Sequence, residues 1–374
     1  MTLSSLNLTH PLVVKEKIQE THDCFSFVLE IPSELKSKFT YKAGQFVTFF
    51  LQIAGEEVRR SYSLASAPSV DSHFKVSVKR VKGGKGSNFL IDQVLVGQKL
   101  ATTPPAGIFI LPPTITSETH FVFFAAGSGI TPIFSLIKEL LKTTKNKVSL
   151  LYGNRDENSI LFHRELHELN HQFSDRFHFD YILSNPLKEY SGLKGRLRAE
   201  VVQQFLNSRS MVANQTHAYL CGPEGFMATA EAALELFGLK KEQIHQEAFS
   251  LPSAAAQKVT SAAPSLSDDA VYIGDKSAER VIPKKIEISL QGETHTIDYI
   301  DGTTVLESAL EAQLSPPYSC MDGACMACVA KVTSGLVYQN DMGILTEDYI
   351  EGKECLTCQA RPISNQVKIN FDQF

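Results

Sequence analysis

No run of apolar residues in this sequence is long enough to cross a bilayer; the most apolar stretch, Phe121 to Ala126, has the length of a strand. The N-terminus, MTLSSLNLTHPLVV, has no basic segment leading into an apolar core, so no secretory signal is expected and the cytoplasm is the expected location. Excess charge is also scarce. Lys and Arg number 36 against 41 Asp and Glu, a net of −5, which invites neither nucleic acid nor an anionic membrane. Cysteine is thin outside one region. Of the seven, only Cys24 and Cys221 lie outside the segment from Cys320 to Cys358. Without an export signal, such clustering favours a metal or cluster site over disulfides.

What remains is an ordinary globular composition, 43% hydrophobic and 21% charged over 374 residues, enough for two or three domains. Residues 1–114 read as short strands. KVSVKRV alternates, FVTFFLQI is β-rich and Ala54-Gly55 marks a turn, which favours an antiparallel barrel or sandwich. From His120 strands alternate with helices: HFVFFAAG, ITPIFSLIKELLKT, VSLLYG, SILFHRELHELNHQF, FHFDYILS, LRAEVVQQFLN, HAYLCG and FMATAEAALELFG. Residues 115–250 are therefore expected to form a parallel α/β sheet. Residues 251–283 are rich in Ala, Ser and Pro and read as a linker. A small domain with one helix, TVLESALEAQ, fills residues 284–374.

Cys320, Cys325 and Cys328 form C-x4-C-x2-C, and Cys358 follows after a long gap. The spacing fits a plant-type [2Fe-2S] site, where a loop wraps its thiolates around the irons and offers N–H groups to the sulfides. Gly323, Ala324 and Ala327 are small enough for that approach. Zinc is the rival, with Cys325-x2-Cys328 and Cys355-x2-Cys358 as two knuckles. That reading leaves Cys320 idle, leaves the preceding PPYS unexplained and stretches the gap between the pairs. On the cluster reading Cys355 is a neighbour rather than a ligand, and Cys24 is a core residue. PPYSCMDGACMACVAKVTSG followed by CLTCQARP resembles the plant-type ferredoxin domain, which implies an α+β β-grasp fold.

Arg60-Ser61-Tyr62-Ser63 resembles the FAD-binding signature of the ferredoxin–NADP reductase superfamily. The resemblance implies Arg60 at the FAD diphosphate, Tyr62 against the isoalloxazine and Ser63 near flavin N5. Val78, Lys79 and Arg80 are counted with the cofactor-binding residues, as are Lys85, Gly86 and Ser87 of KGGKGSN, whose helix start suits a diphosphate. Ala43-Gly44-Gln45-Phe46 also fits the superfamily's pattern. Taken singly, Arg-x-Tyr-Ser reads equally as an edge strand and KGGKGS as a turn; together, upstream of a nucleotide fold, they point to flavin.

Gly127-Ser128-Gly129-Ile130-Thr131-Pro132 follows a strand and opens a helix, a turn that brings N–H groups and partial positive charge to a phosphate. It resembles the G-x-G-x-[TA]-P turn of the same superfamily rather than G-x-G-x-x-G. Cys221-Gly222-Pro223, with Met227 beyond it, resembles the turn that borders the nicotinamide ring, which makes Cys221 a positioning residue; a packed strand-end thiol is the alternative. Asn154 and Arg155 end the second strand of this domain. Arg155, with Arg196 as a second candidate, suits the 2′-phosphate of NADPH, whereas the neighbouring Asp156 leaves NADH open. Phe249 is read as the aromatic that shields the flavin, or as an apolar end-stop.

The order of FAD barrel, nicotinamide domain and ferredoxin domain resembles reductases with a C-terminal ferredoxin domain. Among them the chain is most similar to the reductase subunits of ring-1,2-phenylacetyl-CoA epoxidases, on YGNRDENSILFHREL and CLTCQARP. That resemblance implies hydride from NADPH to FAD, with Tyr62, Ser63 and Cys221 setting the geometry, and single electrons through the cluster to a di-iron oxygenase of phenylacetate catabolism. The same layout serves other hydroxylases, desaturases and hybrid-cluster-protein reduction. A stand-alone diaphorase and a colourless zinc interaction module are the readings from other classes.

Overall fold

The computed structural model describes residues 9–247, 270–314, 316–318, 323, 327–340, 345 and 347–372. Phe249, Cys320, Ala324 and Cys325, named above, lie outside them. The chain divides into two compact units, the larger Ser5–Phe249 and the smaller built chiefly from Ser250–Phe374. Among the described residues no helix is long and apolar enough to cross a membrane.

The larger unit opens with strands β1 (His10–Thr21), β2 (Cys24–Glu30), β3 (Phe46–Ile53), β4 (Glu56–Ser63) and β5 (Phe74–Lys79), helix α1 (Lys85–Gln93) and strand β6 (Lys99–Thr102). They pair antiparallel in the order β4-β3-β6-β1-β2-β5. An antiparallel bridge between Leu64, just beyond β4, and Val76 of β5 joins the two edges and closes the sheet. Closure leaves no free edge. Its interior holds Leu12, Val14, Phe27, Val47, Phe49, Leu51 and Val76.

A parallel sheet follows, from β7 (His120–Ala126), α2 (Ile130–Thr143), β8 (Lys147–Asn154), α3 (His163–Gln172), β9 (Phe177–Leu183), β10 (Leu193–Lys194), α4 (Ala199–Ser208), β11 (Thr216–Cys221), α5 (Glu224–Phe237) and β12 (Ile244–Glu247). Its order is β10-β9-β8-β7-β11-β12. The chain therefore runs outward from β7 on one side, then returns to lay β11 on the other. The carboxyl ends of β7 and β11 flank this switch point, where open α/β sheets place their ligands. Helix α2 is buried along almost its whole length. A helix apolar on all sides belongs between two layers; α2 lies between its own sheet and the barrel, with Leu136 beside Gly44 and Ser135 Oγ donating to Ser66 O at 2.6 Å.

Helix α3 begins later than its apolar pattern predicts. Phe162 sits in the left-handed region at φ +56° and stacks on Phe134, with ring centroids 4.5 Å apart. That aromatic contact, worth about 0.5–1.5 kcal/mol beyond burial, breaks the helix at its apolar start.

The smaller unit contains β13 (Ala270–Gly274), β14 (Lys285–Leu290), β15 (Glu293–Asp298), α6 (Val305–Glu311), β16 (Val329–Ser334), β17 (Leu336–Asn340), α7 (Glu347–Glu351), β18 (Glu354–Leu356), β19 (Arg361–Pro362) and β20 (Lys368–Asn370). A five-stranded mixed sheet, β15-β14-β20-β16-β18, carries α6, and a three-stranded sheet, β13-β17-β19, lies beside it. Thr304 and Glu307 form a capping box on α6, Glu307 N donating to Thr304 Oγ1 at 3.2 Å and Thr304 N to Glu307 Oε2 at 2.7 Å. The composition-based linker over 251–283 reaches too far: Ala270–Gly274 pair antiparallel with Leu336–Asn340. Ala, Val, Tyr and Ile there form a short half-buried edge strand, too brief to register against the Ala- and Ser-rich run before it.

Candidate active site and cluster site

The flavin signature occupies β4. Arg60 pairs with Phe49, Ser61 with Thr48, Tyr62 with Val47 and Ser63 with Phe46 of β3. Strand alternation sends Ser61 and Ser63 to one face and Arg60 and Tyr62 to the other. Ser61 shares a hydrogen bond with Thr48 Oγ1 at 2.8 Å. The Tyr62 ring lies 5.5 Å from that of Phe49, and burial raises its phenol's proton affinity, keeping it neutral.

The second flavin motif meets the first. A Cβ at Gly86 would lie 2.7 Å from Arg60 Cγ, so the stem of Arg60 crosses the first turn of α1 where only glycine fits. No side chain caps the N-terminus of α1. The uncapped N–H groups of α1 and the stem of Arg60 thus lie together, a setting suited to a diphosphate, while the guanidinium donates to Arg59 O at 2.6 Å. Ser87 is buried, its Oγ accepting from Val81 N at 3.1 Å, and Lys85 is exposed and ion-paired with Glu56 at 2.7 Å. Val78 is buried in β5, Lys79 lies 3.6 Å from Asp23, and Arg80 grips Asp92 of α1 at 2.6 and 2.8 Å. Arg80 thereby links the end of β5 to the helix.

At the switch point, Gly127 adopts φ +56°, which a glycine tolerates, and α2 begins three residues on. A Cβ on Gly129 would lie 2.1 Å from Cys221 O, so the β7 turn and the β11 end touch backbone to backbone. The turn is held from below by Tyr152, which donates to Gly127 O at 3.0 Å and accepts from Leu161 N at 3.3 Å. Thr131 donates to Ser128 O at 2.9 Å, and Pro132 is buried in the first turn of α2. Gly222 lets Ala126 approach, Pro223 is the N-cap of α5, and Met227 is buried on that helix. Asn154 ends β8, buried; Arg155 beyond it is 75% exposed, 3.9 Å from Asp156, and Arg196 is exposed after β10. The two arginines stand beyond the carboxyl ends of β8 and β10, with β9 between those strands, and both are exposed.

One residue that the motifs do not name joins the two halves. Glu247, at the end of β12, is the strand neighbour of Cys221, and its Oε2 accepts from Ser63 Oγ at 3.0 Å. Burial pushes its carboxyl up to about 8. Cys221 is fully buried, and burial followed by the Glu247 charge raises its thiol well above the ordinary value, which disfavours a thiolate. Ser63, Cys221 and Glu247 therefore form a corner that places a hydroxyl, a thiol and a protonatable carboxyl where barrel and parallel sheet meet. Glu247 escapes sequence reasoning because it lies far along the chain from Ser63 and fits no fixed spacing.

In the smaller unit Cys328 and Cys358 are both buried thiols. Thr357 ties them together, its N and Oγ1 donating to Cys328 O at 3.2 and 2.8 Å. Gln359 Nε2 lies 3.6 Å from Cys358 Sγ, and the first turn of α6 docks on the same loop, Leu306 N donating to Thr357 O at 3.0 Å. Gly323 takes φ +74°, a conformation that favours glycine. Cys355 is fully buried inside β18, opposite Ala330.

Comparison with known proteins follows the same division. The oxidoreductase FAD-binding domain matches residues 11–110, the oxidoreductase NAD-binding domain residues 123–232, and the 2Fe-2S iron-sulfur cluster binding domain residues 288–362. The chain is 35% identical over 364 residues to the ferredoxin reductase component of 3-ketosteroid-9-alpha-monooxygenase from Rhodococcus rhodochrous, covering 96% of each chain. It is 29% identical to a 1,2-phenylacetyl-CoA epoxidase subunit from Escherichia coli K12, covering 97% of this chain and 98% of that one. Among solved structures, phthalate dioxygenase reductase shares the fold, with a TM-score of 0.57 at 21% identity over 99% of this chain and 100% of the other.

Proposed function

This chain belongs to the family of oxygenase reductases that join FAD-binding, NAD-binding and 2Fe-2S cluster binding domains in one polypeptide, and on that premise we propose that it takes hydride from NADPH at the Ser63–Cys221–Glu247 corner and delivers single electrons to the oxygenase of phenylacetyl-CoA ring 1,2-epoxidation. The observation that carries the hydride site is the contact of Ser63 with Glu247 beside Cys221 at the switch point.

When bound, the flavin supplies two-electron acceptance and one-electron release, and the cluster carries those electrons singly. Arg60 and the first turn of α1 hold the diphosphate, and Tyr62 packs against the ring. Gly127–Gly129 and Thr131, at the start of α2, receive the dinucleotide phosphates, while Arg155 and Arg196 face the 2′-phosphate. Gly222, at the turn after Cys221, leaves room for the nicotinamide. Ser63 orients the Glu247 carboxyl, which holds a proton at Oε1 or Oε2 at neutral pH. Cys320, Cys325, Cys328 and Cys358 are the proposed cluster ligands.

The identity of the acceptor rests on resemblance. The phenylacetyl-CoA reading is supported by the Escherichia coli epoxidase relative, similar over nearly the full length. A ketosteroid 9α-hydroxylase is the second reading, favoured by the 35% identity of the rhodococcal component. Reconstitution with each purified oxygenase decides between them: NADPH-dependent epoxide from phenylacetyl-CoA is expected, whereas 9α-hydroxysteroid alone transfers the assignment. For the nucleotide, Arg155→Glu combined with Arg196→Ala should raise KM for NADPH about tenfold or more with little change for NADH. Equal losses with both nucleotides would remove these arginines from the phosphate site.

A further inference from the structure

Helix α2 has a second attachment that no motif assigns. Its first turn belongs to the Gly127–Gly129 turn, but its middle reaches across to the flavin barrel. Ser135 Oγ donates to Ser66 O at 2.6 Å, and Lys138 Nζ is ion-paired with Asp71. Glu139 Oε2 accepts from the hydroxyl and amide of Ser69 at 2.7 and 3.2 Å. Asp71 also accepts from Ala67 N at 2.7 Å. Ser66 and Ala67 lie in the segment that follows the strand carrying Arg60 to Ser63.

These contacts close a ring. From Ser63 it passes to Glu247, to the strand neighbour Cys221, and to Gly129 pressed against Cys221 O. It then runs down α2 to Lys138, crosses to Asp71 and returns through Ala67 to Ser63. With only the Ser63–Glu247 corner, such a ring is a hinge; a second fixed corner makes it a frame.

We propose that Lys138 and Asp71 are positioning residues for hydride transfer, locking the corner away from the reacting atoms so that the flavin strand and the dinucleotide turn keep one separation. Hydride transfer needs donor and acceptor within about 3–3.5 Å, and a misplacement of about 1 Å costs on the order of 100-fold in rate. The pair is suited to registration. Lys138 is 7% exposed, with Nζ 4.6 Å from the centroid of the Phe134 ring. A buried ion pair adds little net stability compared with apolar packing but penalises every arrangement that separates its members. The proposal rests on the reading of the Ser63–Glu247 corner as the hydride site.

The test uses the full chain loaded with FAD and cluster. Anaerobic stopped-flow bleaching of the flavin by excess NADPH, carrying hydrogen or deuterium at the transferred position, is compared for wild type, Lys138→Met and Asp71→Asn. Glu139→Gln, which loosens the same seam at its more exposed edge, serves if a single variant fails to fold. The limiting rate should fall about tenfold or more, apparent NADPH affinity should stay within about threefold, and the isotope effect should rise. A lowered melting temperature with unchanged limiting rate and isotope effect would reduce the pair to a structural role and overturn the proposal, as would a loss confined to NADPH affinity. If wild type is bleached by neither NADPH nor NADH, the hydride reading itself fails and the proposal falls with it.

Discussion

The two units build their sites in opposite ways. In the larger one, the site is a meeting of distant segments: Ser63 from a barrel strand, Gly129 from the turn after β7, Cys221 and Glu247 from the ends of two neighbouring parallel strands. In the smaller one, Cys328 and Cys358 are tied by Thr357, and the cysteine loop precedes Cys328 directly in sequence. A dinucleotide and a flavin are long, and their reacting rings must face each other, so the scaffold has to hold two ligands in register. A cluster is compact, and one loop with a single further cysteine, Cys358, suffices. The first kind of site is vulnerable at its seams and the second at its ligands.

The largest expected effect is therefore in the smaller unit. Cys358→Ser should abolish the cluster's visible absorbance and cut electron transfer to a protein acceptor by about 100-fold or more, leaving flavin reduction by NADPH intact. Cys355→Ser should leave the absorbance in place. Iron content and single-turnover kinetics read both, and a stable cluster in the Cys358 variant would break the ligand assignment.

Gly129→Ala attacks a seam instead. Its Cβ would meet Cys221 O at 2.1 Å, and both partners are backbone, so the turn must move. Flavin reduction should drop on the order of 100-fold, with a loss of about 1–3 kcal/mol in stability by urea unfolding. Cluster absorbance should be unaffected. Loss of the cluster along with flavin reduction would contradict the division of labour between the two units.

A subtler effect is expected at Glu247. Its folded-state proton affinity is raised from the ordinary 4.5 to about 8. The folded protein therefore binds more protons than the unfolded chain in this interval. The group's stabilising contribution is complete below 4.5 and is lost as pH rises through about 8. A carboxamide has no proton to lose, so in Glu247→Gln the urea midpoint should fall less across this window than in wild type. Parallel curves would assign the carboxyl an ordinary proton affinity.

Much of this was legible in the sequence, and the failures share a cause. ITPIFSLIKELLKT coincides with α2 residue for residue because its apolar positions, the glycine turn before it and its length agree. The barrel strands and the parallel sheet follow from alternation and from strand–helix rhythm. The late start of α3 was hidden, since Phe162 obeys a ring stacked on it from α2 rather than local propensity. Ala270–Gly274 was hidden because a five-residue edge strand gains its stability from the strand it pairs with. Glu247 and Asp71 were hidden for the same reason as one another: each is defined by a partner distant in sequence, Ser63 for one and Lys138 for the other. Spacing reveals groups that one ligand gathers locally; it is silent on groups gathered by the fold.

The burial of α2 on nearly every side also bears on how such proteins can be recombined. The helix is encoded with the nucleotide half, yet part of its surface is completed by residues of the flavin half. A chimera cut between β6 and β7 would splice an α2 shaped for one barrel onto another, with Ser135, Lys138 and Glu139 facing strangers. Gene-fusion junctions should therefore be tolerated on either side of the flavin–nicotinamide pair more readily than within it, and the heritable module is the pair.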